Sequence, residues 1–253
     1  MRNFKGKSAF VTGAASGIGF AIAEALGRQG MNVMLADIEA EALNAAVKNL
    51  RAKQINAEGI VTDVSRRNSV KDAAAETVRI FNKVHLVCNN AGAAPTGPLG
   101  SMKALDWDWA IDVNVKGVIF GMEEFVPLIQ AHGEGGHIVN TASLAGLVGA
   151  PEVEAYSGTK HMVIGMSEGW ASQLAPLKIG VSILLPGLVN TNIYTSVRNK
   201  TEAYGGDPSN DSTSKASEYI AELIAQGAIP DLEKQGLPAS LVAEMMLQGH
   251  PRG

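Results

Sequence analysis

The 253-residue chain contains a single cysteine. No disulfide can form within it, and a reducing compartment is expected. That residue, Cys88 in "VHLVCNNAG", reads as a buried strand residue and not as a nucleophile. Lys and Arg number 21 against 25 Asp and Glu, and no basic run resembles a nucleic-acid footprint. No apolar run reaches the roughly 18 residues needed to span a bilayer. The segment "MRNFKGKSAFVTG" has a short charged lead and no long apolar stretch, so no secretory signal is expected. The five histidines show no ligand spacing with acids or cysteine, and no metal is expected. These absences point to a cytoplasmic protein whose partner is neither nucleic acid nor membrane.

What is present is core material: 46% of residues are hydrophobic and 18% charged, which argues against disorder. Short apolar runs alternate with helical patterns. The runs are "SAFVT" (8–12), "NVMLAD" (32–37), "EGIVTD" (58–63), "VHLVCNN" (84–90), "GHIVNTAS" (136–143) and "IGVSILLP" (179–186). Helical spacing starts at Ile18, with Ala21, Ile22, Ala25 and Leu26, and recurs over 39–53, 66–82, 106–131 and 153–175. Gly117 and Gly121 soften the fourth of these helices. The strand runs are rich in Val, Ile and Leu and do not alternate with polar residues. That pattern predicts strands buried on both faces, hence a parallel sheet covered by helices. Six βα alternations predict an α/β, doubly wound, single-domain fold; an eight-stranded barrel needs two more units. After residue 190 the character changes. "NKTEAYGGDPSNDSTSK" (199–215) reads as a loop, 216–226 and 239–247 as short helices, and no clear final strand follows.

The stretch "VTGAASGIG" (11–19) joins the first strand to the first helix. Its glycines, Gly13, Gly17 and Gly19, follow G-x-x-x-G-x-G and not the more common G-x-G-x-x-G. A helix start offers free N–H groups and a partial positive charge to an anion, and glycine lets backbone approach a ligand closely. No Gly-Lys-Ser/Thr follows, which excludes a Walker A loop. Ser16 is positioned to cap the helix or to touch a phosphate. Taken alone, the stretch also fits a tight turn without a ligand. Asp37 ends the second strand, 24 residues after Gly13. In dinucleotide folds an acid at this place accepts hydrogen bonds from the adenosine ribose. Its charge would repel a 2′-phosphate, and no Arg or Lys lies in the loop or just after Asp37. The pair favours NAD over NADP.

"NNAG" (89–92), Asn114 in "VNVKG", Ser143 in "NTASLAG", and Tyr156 with Lys160 in "YSGTK" complete a pattern. With the glycine motif, these resemble the short-chain dehydrogenase/reductase family over about residues 5–192. Tyr and Lys at i, i+4 share a helix face. Moving a phenol pKa from about 10 to about 7 takes roughly 4 kcal/mol, which an ammonium and a cofactor charge can supply between them.

The resemblance implies a Rossmann-like fold and an oxidoreductase moving hydride between NAD and a secondary alcohol or ketone. It implies Tyr156 as general acid/base and Lys160 as the group that lowers its pKa and holds the nicotinamide ribose. Ser143 would hydrogen-bond the substrate oxygen, and Asn114 would support a proton-relay water. Gly13, Ser16, Gly17, Ile18 and Gly19 would meet the pyrophosphate side. Asp37 and Ile38 would meet the adenosine ribose, and Asp63 and Val64 the adenine. Asn90, Ala91 and Gly92 would line the adenosine side, Pro186 and Gly187 would pass the nicotinamide, and Val189 and Thr191 would bind its carboxamide.

A substrate lid is implied at about 187–230, and a homodimer or homotetramer through the helices at 106–131 and 153–175. The segment "GLVNTNIYTSVRNKTEAYGG" (187–206) resembles the branch with aryl-ether Cα-dehydrogenases, which points to an aromatic or bulky secondary alcohol. The family's usual Gly-rich "DGG"-like tail is missing. Trp107 and Trp109 are expected to pack or to sit at a subunit contact. Two other functions stay open: an NADPH-dependent 3-oxoacyl-type reductase, and a non-catalytic NAD-binding sensor.

Overall fold

Strand β1 (Ser8–Thr12) is buried along its whole length, and its side chains serve two cores. Ala9 and Val11 pack with α1 (Gly17–Arg28) and α2 (Ala40–Ala52) on one face, while Phe10 packs against Phe125 on the other, ring centres 4.3 Å apart. This division follows from the two-residue repeat of a strand and explains why the run carries no polar alternation. The computed structural model describes residues 3–206, 218, 221–222, 224–225 and 231–249.

The strands β1, β2 (Asn32–Asp37), β3 (Ala57–Val61), β4 (Leu86–Asn89), β5 (Gly136–Thr141) and β6 (Ile179–Leu184) form one parallel sheet. Its order is β3-β2-β1-β4-β5-β6. Helices α3 (Arg67–Phe81), α5 (Gly117–His132) and α6 (Glu154–Leu174) cover the second face. This is the doubly wound, Rossmann-like arrangement expected, and β1 lies where the chain reverses direction across the sheet.

Four expectations are corrected. β3 is an edge strand with Val61 56% exposed, so burial on both faces does not extend to it. It also ends at Val61: Thr62 N–H makes the last ladder bond, to Asp37 O, and Asp63 N–H leaves the ladder for Ser69 Oγ. The helix expected over 106–131 is α4 (Ala104–Ile111), a π turn (Asp112–Lys116) and then α5. Nor do Gly117 and Gly121 merely soften it. A Cβ on Gly121 would lie 2.0 Å from Asn89 Oδ1, so the missing side chain is what lets α5 approach β4.

Among the described residues no strand follows β6. A single parallel bridge pairs Val189 with Leu237, and α7 (Ala239–Gln248) lays Ala243 and Met246 into the core beside α1. Most of the helix expected at 216–226, and the loop beyond residue 206, lie outside the described residues. Among those residues no helix is long and apolar enough to cross a membrane.

Candidate active site

A cavity of about 740 Å³ runs along the carboxyl ends of the strands, within the usual size of ligand sites. Gly13, Ser16, Gly17 and Ile18 line one part, with Asp37, Ile38, Asp63 and Val64. Asn90, Ala91 and Gly92 lie along its middle. Ser143, Tyr156, Lys160, Pro186, Gly187, Val189 and Thr191 line the rest. Two expected residues stand behind the wall, Gly19 and Asn114. A Cβ on Gly19 would sit 2.1 Å from Gly13 O, so this glycine allows the helix to press on the loop.

The loop is held by its neighbours. Gly13 and Gly17 have φ of +62° and +54°, which strain any L side chain. Asn90 Nδ2 donates to Thr12 O at 3.0 Å, and the Thr12 hydroxyl accepts from Asn90 N–H and Ala91 N–H at 2.9 and 3.0 Å. Ser16 is the N-cap residue of α1 but makes no side-chain cap bond, so capping is not its role. Asp37 takes Ala15 N–H on one oxygen at 2.9 Å and Glu39 N–H on the other at 3.0 Å. Burial pushes its pKa up against those two bonds. Asp63 closes a turn by accepting Ser65 N–H and Oγ–H at 3.0 and 2.6 Å.

At the other end, Ser143 caps a short 3₁₀ turn by accepting Ala145 N–H at 3.1 Å, and it lines the same part of the cavity as Tyr156. Burial holds the Tyr156 phenol above its ordinary value, and the nearby Ser143 side chain opposes this. The lowering expected from Lys160 is therefore not the dominant effect. Lys160 is itself buried, donates to Thr141 O at 2.8 Å, and has its pKa pushed down to about 8 by desolvation. Asn114, in the π turn, is fully buried. Its Oδ1 accepts Ala93 N–H, and its Nδ2 donates to Ala93 O and Thr159 Oγ1, at 2.8–3.0 Å. A π turn in this setting often marks a functional site.

Several lining residues were not expected. Trp109, 3% exposed, is packed as expected and also forms part of the cavity wall. Tyr194 and Tyr204 also line the cavity. Arg198 stands beside Glu39, two residues after Asp37 and 159 residues away in sequence, with Nη2 2.7 Å from Oε1. A cation does therefore lie near the acid, and no local pattern carries that fact. The histidines also come closer than their spacing indicates. The ligand atoms of His85, His132 and Glu134 lie within 4.8 Å of one another. Each ring nitrogen already has a protein partner: Ser8 N–H and Glu134 for His85, Val84 O and Glu134 N–H for His132. Cys88 is fully buried, its pKa pushed up to about 12.

The sequence model described as short chain dehydrogenase matches residues 7–202. A C alpha-dehydrogenase from a Sphingobium species is 35% identical over 98% of this chain and 79% of its own length. A 3-oxoacyl-[acyl-carrier-protein] reductase from Thermotoga maritima is 35% identical over 74% of this chain and 76% of its own. The crystal structure of a short chain dehydrogenase/reductase from Burkholderia phymatum in complex with NAD superposes with a TM-score of 0.88. It has 35% identity and covers 98% of this chain and 86% of that one. The chain belongs to the short-chain dehydrogenase family, as an oxidoreductase acting on alcohol or ketone substrates.

Proposed function

We propose that this protein oxidises secondary alcohols, or reduces the matching ketones, with NAD as cofactor and Tyr156 as general acid/base. The observation that carries the reading is one continuous cavity holding the glycine loop and Asp37 at one end and Ser143, Tyr156 and Lys160 at the other. The residues fit a dinucleotide: Gly13 and Gly17 hold a loop no side chain fills, α1 begins at that loop without a side-chain cap, and Asp37 keeps a carboxylate fixed by two backbone N–H groups. Asp37 and Ile38 hold the adenosine ribose, Asp63 and Val64 the adenine, and Val189 and Thr191 the carboxamide. When bound, the nicotinamide accepts or donates the hydride.

The protein's own groups manage the proton. Ser143 Oγ and the Tyr156 hydroxyl, which line the same part of the cavity, converge on the substrate oxygen. Tyr156 takes the hydroxyl proton in oxidation and returns it in reduction. Lys160 supplies positive charge on the inner side of the phenol ring, and Asn114 fixes the backbone at Ala93 beside it.

The substrate end of the wall is apolar and aromatic, with Trp109, Leu144, Val153, Leu188 and Tyr194. Together with the name of the Sphingobium relative, this supports a bulky or aromatic secondary alcohol. The segment from residue 187, over the cavity, is read as its lid. The Thermotoga relative favours the second reading, a 3-oxoacyl-type reductase using NADPH. A homo-oligomer is the expected assembly, through α5 and the face of α6 where a Cβ added at Gly158, Gly165 or Gly169 would meet nothing within 4 Å.

The test is an initial-rate screen of benzylic and aliphatic secondary alcohols with NAD and NADP, repeated with Tyr156→Phe. The variant should lose about 10³-fold or more in kcat. Near wild-type turnover in the variant sinks the mechanism, and a preference for NADP sinks the cofactor assignment. A solution mass of one chain, 26.4 kDa, sinks the assembly.

A further inference from the structure

Glu39 does not belong to the glycine loop or to the catalytic set, yet it is among the most heavily bonded side chains at the cavity. Its Oε1 accepts Arg198 Nη2 at 2.7 Å and Asn199 Nδ2 at 2.8 Å. These bonds outweigh the burial that would otherwise raise its pKa, and hold it below the usual carboxylate range. Its own N–H is spent on Asp37. One dipeptide step from the acid that faces the ribose, the chain thus grips a segment 159 residues away.

The gripped segment is ordered by the same guanidinium. Arg198 Nη1 donates to Asn192 O, Thr195 O and Thr195 Oγ1 at 2.9–3.2 Å, closing the turn Ile193–Asn199 upon itself. That turn begins two residues after Thr191, which packs on the glycine loop: a Cβ on Gly17 would lie 3.0 Å from Thr191 Cγ2. Beyond it, Lys200 pairs with Asp106, and the Tyr204 hydroxyl donates to Asp112 Oδ2 at 2.7 Å. Arg198 therefore bridges the strand end that carries Asp37 and the turn that follows Thr191.

We propose that Glu39 is a positioning residue for the cofactor: through Arg198 and Asn199 it ties the segment Ile193–Asn199 across the cavity. Bound dinucleotide is then enclosed by a strap anchored at its adenosine end. The inference rests on reading this cavity as the NAD site. Both partners are used up by the contact, so Arg198, its charge offset by Glu39, is not a free cation for a 2′-phosphate.

The experiment is a double-mutant cycle on Glu39→Gln and Arg198→Ala, read by NADH binding through nicotinamide fluorescence, without substrate. Each single variant should weaken NADH binding about fivefold or more, and the double variant should be no weaker than the worse single one. Any direct repulsion between Glu39 and the cofactor phosphates persists in the Arg198→Ala background, so the cycle separates it from the strap. Glu39→Asp keeps the charge but shortens the reach, and should weaken binding in the same direction; it serves if Glu39→Gln fails to fold. Unchanged affinity in the single variants, or effects that multiply in the double, overturns the strap while leaving the NAD reading intact. If the wild-type protein binds neither NADH nor NADPH, the NAD reading falls and the strap with it.

Discussion

Lys160 and Tyr156 lie one turn apart on α6, the ammonium nitrogen 5.6 Å from the centre of the phenol ring and hydrogen-bonded to Thr141 O at 2.8 Å. The cation is fully enclosed, with its pKa down from 10.5 to about 8. A lysine that gives up its proton more readily when folded is a liability to the fold while it stays charged. The cost is present in full below pH 8, amounts to ~3 kcal/mol, and fades as pH rises from 8 towards 10.5.

Lys160→Met should therefore make the protein more stable and less active. At pH 7 its melting temperature should rise above wild type, less whatever the lost Thr141 bond subtracts. The two melting curves should converge by about pH 10, where wild type no longer carries the charge. Turnover should fall, and the pH dependence of alcohol oxidation should move upward, because the phenol keeps its burial and loses its cation. Equal stability at pH 7 and pH 10 would contradict the burial of a charged Lys160.

Asp37 should set the choice between cofactors. Asp37→Ala removes a fixed negative charge and should raise kcat/KM for NADP about tenfold or more relative to NAD. Burial raises the pKa of this acid, so it takes up its proton at higher pH than an ordinary aspartate. Discrimination against NADP should accordingly weaken as pH falls and recover as it rises. Rates with both cofactors across that range test this, and a constant ratio would contradict it.

Gly121→Ala should destabilise. In an exposed helix the change gains about 1 kcal/mol. Here the new methyl would lie 2.0 Å from Asn89 Oδ1, and Asn89 is in turn bonded to Asn140 at 2.9 Å behind the site. Overpacking of this kind costs about 1–3 kcal/mol. A denaturant midpoint at or above wild type would show that α5 and β4 separate without strain.

Trp109→Leu should narrow the substrate range. The indole is buried and lines the cavity, as do Val113 and Tyr194. Losing it should lower kcat/KM for a benzylic secondary alcohol about tenfold relative to 2-propanol. An unchanged ratio would place the aromatic part of the substrate elsewhere.

The fold and half of the site were readable because their causes are local. The alternation of two cores along β1, the spacing Gly13-x-x-x-Gly17-x-Gly19 and the turn from Tyr156 to Lys160 are each set within a few residues. The rest depends on chain brought together from afar. The meeting of Arg198 with Glu39 joins two segments with no shared pattern. The π turn at Asp112–Lys116 shifts the helix phase between Trp109 and α5, and no periodicity encodes that extra residue. The edge position of β3 follows from strand order, which a run of apolar residues does not state.

The buried thiol has a practical consequence. Cys88 is fully enclosed and holds its proton to about pH 12, so it is chemically silent towards maleimide dyes. A cysteine introduced at Leu99, which is 97% exposed, would be the sole labelled position on each chain. The native sequence is thus already a blank background for attaching fluorophores, with no wild-type cysteine to remove first.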